Sequence, residues 1–271
     1  MQLIKVKTEN SSYSIHVEKG LFENVPVMLE PFNHGQTWVI FTHPILNDLY
    51  GKKLAEILQS AGFISITITM PEGEQSKTIG QVNDLYEQLL SHNCDRSTTF
   101  IALGGGVVGD VTGFVASTFM RGVDYIQIPT TLLAMVDSSV GGKTGVNLPR
   151  GKNLVGTFYQ PRLVLIDPNL LHSLPLRDIV AGLAEVLKYG AIHNKDFFIK
   201  TAENLQLLSS LVSEAPITET IAESCRIKAQ IVSEDEKETG LRRILNFGHT
   251  IGHALEIGNT RPVLRHGEAV A

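Results

Sequence analysis

One stretch constrains the fold of this chain more than any other: Thr99-Phe-Ile-Ala-Leu-Gly-Gly-Gly-Val-Val-Gly-Asp110. An apolar run enters a glycine cluster and continues into Val111-Thr-Gly-Phe-Val-Ala-Ser117. That order reads as a strand, a turn able to cradle a phosphate, and a helix. The first ~170 residues repeat the alternation, which is the signature of a parallel α/β sheet. Strands are expected at Trp38–Thr42, Ile64–Met70, Thr99–Leu103, Tyr125–Pro129 and Leu163–Ile166. Between them, Leu46–Ser60 and Ile79–Ser91 carry apolar residues at three- and four-residue steps, as helices do.

After Leu174-Pro175 the texture changes, and Arg177–Ile192, Ile217–Ser233 and Phe247–Ile257 all read as helices. The expected architecture is therefore an α/β nucleotide-binding domain (1–174) followed by an all-helical domain (175–271). A cleft between two such domains is where a site usually sits. Apolar residues make up 43 % of the chain and charged residues 19 %, as suits a globular enzyme. No apolar run approaches the ~20 residues of a membrane span. A net charge of -5 speaks against a general nucleic-acid surface. Cys94 and Cys225 stand far apart in no metal-type spacing, which suits plain thiols in a reducing cytoplasm.

Gly104-x-Gly106-x-x-Gly109 fits the dinucleotide fingerprint. The same glycines would also serve a strand-to-helix turn that needs positive φ. The usual fingerprint adds an acidic residue ~20 positions on, at the end of the next strand. Asp124 precedes a strand instead, so a pyrophosphate is expected here outside an ordinary Rossmann arrangement. Asp137-Ser-Ser-Val-Gly-Gly-Lys-Thr144 nearly spells a P-loop, but it follows the helical stretch Thr131–Val136 rather than a strand, which excludes an NTPase. What remains is a flexible loop presenting Asp137 and Lys143, with Asn147, Lys152 and Asn153 close behind. Such a set suits an anionic phosphorylated ligand, or simply a solvated surface. Pro71-Glu-Gly-Glu-Gln-Ser-Lys77 follows a strand; its carboxylates and amides could hold ribose hydroxyls, although a plain polar loop has the same composition.

Glu185 and Lys188 lie three apart on a helix, where an exposed ion pair is the ordinary reading. Leu183, Ala184, Val186 and Leu187 surround Glu185, however, and a buried carboxylate must be paired or bind a metal. One carboxylate and two imidazoles from separate segments form the ligand set of a catalytic zinc with an open fourth position. His249 and His253 share a helical face, and Thr250 stands where a HExxH protease carries glutamate, so that class fails. His266 competes with His253 for the third place, and spacing alone does not choose.

In order along the chain, PEGEQSK, LGGGVVGD, QIPTTLLAMVDSSVGGKTGVN, GKNLVGTF, GLAEVLKYG, LNFGHTIGHALE and HGEAVA resemble the motifs of the 3-dehydroquinate synthase family, within the sugar-phosphate cyclases. The resemblance runs from about Gly35 to the last residue, and DSSVGGKTGVN is similar to the dehydroquinate branch in particular. It implies NAD held by Glu72, Gly73, Glu74, Gln75, Ser76, Lys77, Gly106, Val107, Val108, Gly109, Asp110, Thr130, Thr131, Lys143, Lys152 and the turn Leu170, Leu171, His172, Ser173. It implies zinc or cobalt on Glu185, His249 and His266, with His253 left either to support the ligands from behind or to handle protons. Asp137, Lys143, Asn153, Lys188, Lys228, Arg242 and Asn246 match substrate-contacting positions. Arg121, in TFMRGVDY, matches an arginine that reaches a neighbouring subunit, which implies a homodimer.

The implied reaction converts 3-deoxy-D-arabino-heptulosonate 7-phosphate into 3-dehydroquinate and phosphate. It proceeds by transient oxidation, elimination, re-reduction and aldol closure. Two departures stand out. His172-Ser173 replaces a turn that more often ends in threonine, and the sequence stops at His266-Gly-Glu-Ala-Val-Ala271, where the family continues. The expectation is a helical domain cut short, marginally stable and weakly active or inactive. The rival readings are a metal-dependent polyol dehydrogenase, a cyclase acting on another sugar phosphate, and an inactive remnant.

Overall fold

Trp38 and Ile40 point to one side of their strand and Val39 and Phe41 to the other, and all four are buried. This period-two division holds through the central strands and places an apolar core on each face of one sheet. The structure, a computed structural model, describes residues 1–9, 11–211, 214–258 and 264–271, without the side chains of residues 214, 215, 253 and 256–258.

Nine strands occur among the described residues: β1 (Gln2–Lys7), β2 (Ser12–Val17), β3 (Thr37–Thr42), β4 (Ile64–Thr69), β5 (Thr99–Gly104), β6 (Tyr125–Pro129), β7 (Lys143–Leu148), β8 (Gly151–Phe158) and β9 (Leu163–Ile166). Seven form a sheet in the order β1-β2-β9-β6-β5-β3-β4. Every neighbouring pair is parallel except the antiparallel edge pair β1–β2. All five expected strands are present. The edge hairpin is an addition, and its alternation is short and diluted by lysine and serine.

Helices of nine or more residues are α1 (Lys52–Ser60), α2 (Ile79–Ser91), α3 (Gly106–Thr118), α4 (Leu176–His193), α5 (Lys195–Glu203), α6 (Glu214–Glu234) and α7 (His249–Gly258). In α2, Val82, Leu85 and Leu89 make one buried stripe, and the Thr78 hydroxyl caps the first turn by accepting from Gln81 N at 3.2 Å. The short helix His266–Val270 closes the described chain.

The residues from Asp137 to Asn153 are not the flexible loop expected from their glycines and polar side chains. Asp137 lies in the helical turn Ala134–Ser138, and Lys143 opens a two-stranded antiparallel ribbon of β7 and β8. That ribbon packs on α3, with Gly113 so close to Thr144 that a Cβ would lie 2.4 Å from its methyl carbon. The sequence conceals the ribbon because its second strand is largely exposed and carries no apolar alternation.

One buried apolar cluster runs from Ile4 and Val6 through Ile101, Leu103 and Leu132 to Leu183, Val186, Ile221, Val232 and Leu245. The helices after Pro175 therefore share a core with one face of the sheet. Phe247, Ile251 and Leu255 face outward.

Candidate active site

The expected cofactor residues gather along one edge of the sheet. Glu72–Lys77 follow β4, Gly106–Asp110 follow β5, Thr130 and Thr131 follow β6, and Leu170–Ser173 follow β9. All four segments leave the carboxyl ends of parallel strands, where open α/β sheets bind ligands. None of Gly104, Gly105, Gly106 and Gly109 has positive φ. They are needed for closeness: a Cβ on Gly104 would lie 2.6 Å from the Val108 side chain, and one on Gly109 would lie 2.9 Å from Gln127 Oε1. Strand, turn and helix are thereby packed closely, and the start of α3 presents N–H groups of the kind that favour a phosphate.

Lys77 is buried and bonds to Asp110 Oδ2 at 2.5 Å and to Asn153 Oδ1 at 2.5 Å. Asn147 donates to Glu74 Oε1 at 2.6 Å and accepts from Asn153 N at 2.8 Å. The loop after β4, the start of α3 and the β7–β8 ribbon are thus tied into one frame. Tyr50 hydroxyl donates to Ser173 Oγ at 2.7 Å and steadies the turn after β9. Lys152 is exposed on the ribbon.

The metal-type cluster comes together from three elements. Glu185 sits in α4 at 0 % exposure, His249 opens α7 at 12 % and His266 opens the short terminal helix at 26 %. His266 Nε2 lies 3.4 Å and His249 Nε2 3.8 Å from Glu185 Oε1. One ligand atom from each residue falls within 4.8 Å of the others, the single such group of three among the described residues. A tetrahedral ion with bonds of ~2.1 Å separates its ligands by roughly 3.4 Å, so these separations fit. Both carboxylate oxygens of Glu185 are buried without a well-aligned hydrogen bond, although Lys188 pairs with the carboxylate one turn on. A buried anion left in that condition suits a cation that completes it. His249 Nδ1 faces Phe247 O at 3.1 Å, which turns Nε2 toward Glu185. Burial lowers the His249 pKa and keeps the ring neutral, as a ligand must be. The side chain of His253 lies outside the described residues.

His266 is placed by its neighbours. Arg177, at the start of α4, forms two bonds to Glu268, Nε to Oε1 at 2.6 Å and Nη2 to Oε2 at 2.7 Å. Arg265 pairs with Asp178 at 2.9 Å. The short helix is thereby fastened to the helix that carries Glu185.

Beside the cluster, Asp137 accepts from Tyr189 hydroxyl at 2.7 Å and from Lys228 Nζ at 2.6 Å. Burial alone would raise the Asp137 carboxyl, but Lys228 and Lys188 together hold it well below the usual carboxylate range. Lys228 is itself pushed down by burial. Arg242, also buried, donates to Gly141 O at 3.0 Å and to Glu236 O, with its guanidinium over the Phe158 ring. Lys143 pairs with Glu238, and Asn246 donates to the same carboxylate at 2.7 Å. Arg121 is exposed on the turn that follows α3.

Residues that sequence reasoning missed are Tyr189, Glu238, Arg177 and Glu268. Tyr189 could have been noticed, since it adjoins Lys188 in an otherwise apolar helix. Glu238 gives no signal within its charged run.

Comparison with known proteins turns this geometry into a family assignment. The 3-dehydroquinate synthase N-terminal profile matches residues 67–181 and the 3-dehydroquinate synthase C-terminal profile matches residues 182–271. The chain belongs to the 3-dehydroquinate synthase family. Among similar family members, the 3-dehydroquinate synthase of Rippkaea orientalis is 49 % identical over 271 residues, covering 99 % of this chain and 74 % of that one. That of Nitrosomonas europaea is 49 % identical over 265 residues, covering 97 % and 71 %. A 2-deoxy-scyllo-inosose synthase crystallised with carbaglucose-6-phosphate, NAD+ and Co2+ superposes with a TM-score of 0.90 at 30 % identity, covering 99 % of this chain and 72 % of that one. The 2-epi-5-epi-valiolone synthase of Streptomyces hygroscopicus, with NAD+ and Zn2+ bound, gives 0.88 at 29 %, covering 97 % and 73 %. A glycerol dehydrogenase of Schizosaccharomyces pombe gives 0.72 at 18 %, a likeness of fold alone.

Proposed function

We propose that this chain carries the 3-dehydroquinate synthase activity of its family, using NAD and a divalent metal to convert 3-deoxy-D-arabino-heptulosonate 7-phosphate into 3-dehydroquinate and phosphate. The observation that carries the reading is the convergence of buried Glu185 with His249 and His266, next to a glycine-lined sheet edge. Glu185, His249 and His266 would hold the metal, and the segments after β4, β5, β6 and β9 would hold the dinucleotide. When bound, the dinucleotide accepts and returns a hydride, while the metal acidifies the hydroxyl on the carbon that is oxidised.

The remaining work falls to the chain's own side chains. An anionic sugar phosphate needs cations, and Lys143, Lys188, Lys228 and Arg242 stand at the site to supply them. Asp137 keeps its negative charge between Lys228 and Tyr189, so those donors stay aimed at one place. The Tyr189 hydroxyl, whose pKa burial raises, keeps its proton on oxygen and donates it to Asp137. Asn153 and Asn246 add neutral donors at the rim, and the family resemblance gives His253 a supporting or proton-handling role.

The reading extends to a homodimer. Arg121 is exposed where Met120, Arg121 and Gly122 have φ of 49°, 69° and 124°, a turn that displays the guanidinium outward. We place the enzyme in the cytoplasm with the pathway its reaction serves; no described helix is long and apolar enough to cross a membrane.

Phosphate release from the heptulosonate phosphate tests the activity. Release that requires NAD and metal, stops with chelator and leaves no net NADH is the expected result. Net NADH formation from a polyol without phosphate release would favour the dehydrogenase instead.

A further inference from the structure

Tyr13 is out of character in the strand that carries it. Ile15 and Val17 share its face of β2 and its apolar cluster, and a phenylalanine would fill the same place without bringing a polar atom into the core. The hydroxyl of Tyr13, a residue 5 % exposed, accepts from the buried backbone N–H of Gly141 at 3.0 Å, across 128 residues of sequence. Gly141 and Gly142 have φ of 97° and 67°, so the turn from Asp137 to Lys143 follows a path that other residues would resist. Further bonds hold it there. Val140 N donates to Asp137 O at 3.0 Å, Arg242 donates to Gly141 O at 3.0 Å, and Tyr159 N donates to Gly142 O at 2.8 Å. These come from the turn itself and from segments beside the cleft, whereas Tyr13 reaches it from the hairpin at the sheet's edge.

That hairpin is itself braced. Gln2 Oε1 accepts from Arg226 at 2.6 Å and Lys7 N donates to Ser233 Oγ at 3.4 Å, so both ends of β1 are tied to α6. Between those ties, Lys228 bonds to Asp137 O at 2.7 Å. The hairpin thus grips the turn at Gly141 and also steadies the helix that grips its first residue. We propose that Tyr13 is a positioning residue for the anionic substrate: its hydroxyl fixes the peptide ahead of Gly141, and with it the direction in which Lys143 leaves the turn. This rests on the reading of Lys143 as a substrate contact. Without the hydroxyl, the Gly141 N–H is buried and unpaired, and the turn relieves that cost by rotating peptide units that glycine leaves free. Lys143 follows two residues later, so such a rotation re-aims it, and a contact misplaced by about 1 Å loses much of its worth.

Calorimetric titration of the full chain with the heptulosonate phosphate, in zinc and without NAD so that no turnover occurs, tests this in wild type, Y13F, I15V, K143A and Y13F/K143A. I15V removes one methylene from the same face of β2 and is the control for lost stability. Thermal melts check that each is folded, and Y13M, which also removes the acceptor, keeps the test valid if Y13F is not. The expected result is roughly tenfold weaker binding in Y13F, about 1.4 kcal/mol, with wild-type affinity in I15V despite its lowered melting temperature. K143A binds more weakly than wild type, and adding Y13F to it changes affinity less than about threefold, because the contact being re-aimed has gone. Equal affinity in Y13F and I15V overturns the proposal and leaves the hydroxyl a structural bond. A full tenfold loss on top of K143A overturns it as well. Wild-type affinity in K143A overturns the reading of Lys143 instead, and no binding by the wild type overturns the proposed activity, each taking Tyr13 with it.

Discussion

Gly267 shows how much can hang on the absence of one methyl group. A Cβ there would lie 1.9 Å from the Ala181 carbonyl oxygen, so the short helix that carries His266 rests directly on the backbone of α4. Gly267→Ala should force the two apart, destabilising the chain by ~1–3 kcal/mol and weakening metal binding, because His266 moves away from Glu185. Equilibrium dialysis against zinc alongside a thermal melt checks both effects. Glu185→Ala removes a ligand and also leaves Lys188 buried without its carboxylate, so metal content should fall at least tenfold with activity and the thermal midpoint should fall as well. Metal analysis showing full occupancy in Glu185→Ala would remove Glu185 from the ligand set. The sequence made the carboxylate legible, since Glu185 stood among apolar neighbours, where a buried carboxylate must be paired or bind a metal. It could not choose between His253 and His266, because that choice depends on where the chain returns after some 13 further residues, which no local period encodes.

Helices and strands were readable in proportion to how fully each is buried. β5 is covered on both faces and announces itself as an unbroken apolar run, whereas β8 is exposed along much of its length and reads as loop. The loop 235–242 belongs with the unreadable elements, since its shape depends on Asp235 accepting three backbone N–H groups. Those bonds outweigh the desolvation that opposes them and lower the Asp235 pKa from 3.8 to about 2. A depressed pKa stabilises the folded form above the unfolded value and loses that contribution as pH falls toward the folded one. The loop should therefore loosen between about pH 4 and pH 2, and hydrogen exchange at Gly240 and Arg242 should show it. Asp235→Asn should display the same faster exchange already at neutral pH. Lys77 makes the corresponding test between elements. Its removal strands Asp110 beside the glycine turn, and Lys77→Ala should cost ~3–5 kcal/mol, seen as a lower denaturation midpoint.

At the scale of the molecule, the expectation of two successive domains meets a single apolar cluster that runs from β1 to Leu245. Parts that share a core unfold together. Scanning calorimetry should give one transition whose calorimetric and van't Hoff enthalpies agree; two resolved peaks would separate the halves. The strand order carries a further consequence, for the time at which the sheet can be completed. β2 has one parallel neighbour, β9, with Ser14 opposite Leu163, so β1 and β2 leave the ribosome long before the strand that seats them. During synthesis that hairpin is an unpaired edge. Its lysines and serines, which made it hard to recognise as strand, are the residues that keep such an edge from pairing with another chain while it waits.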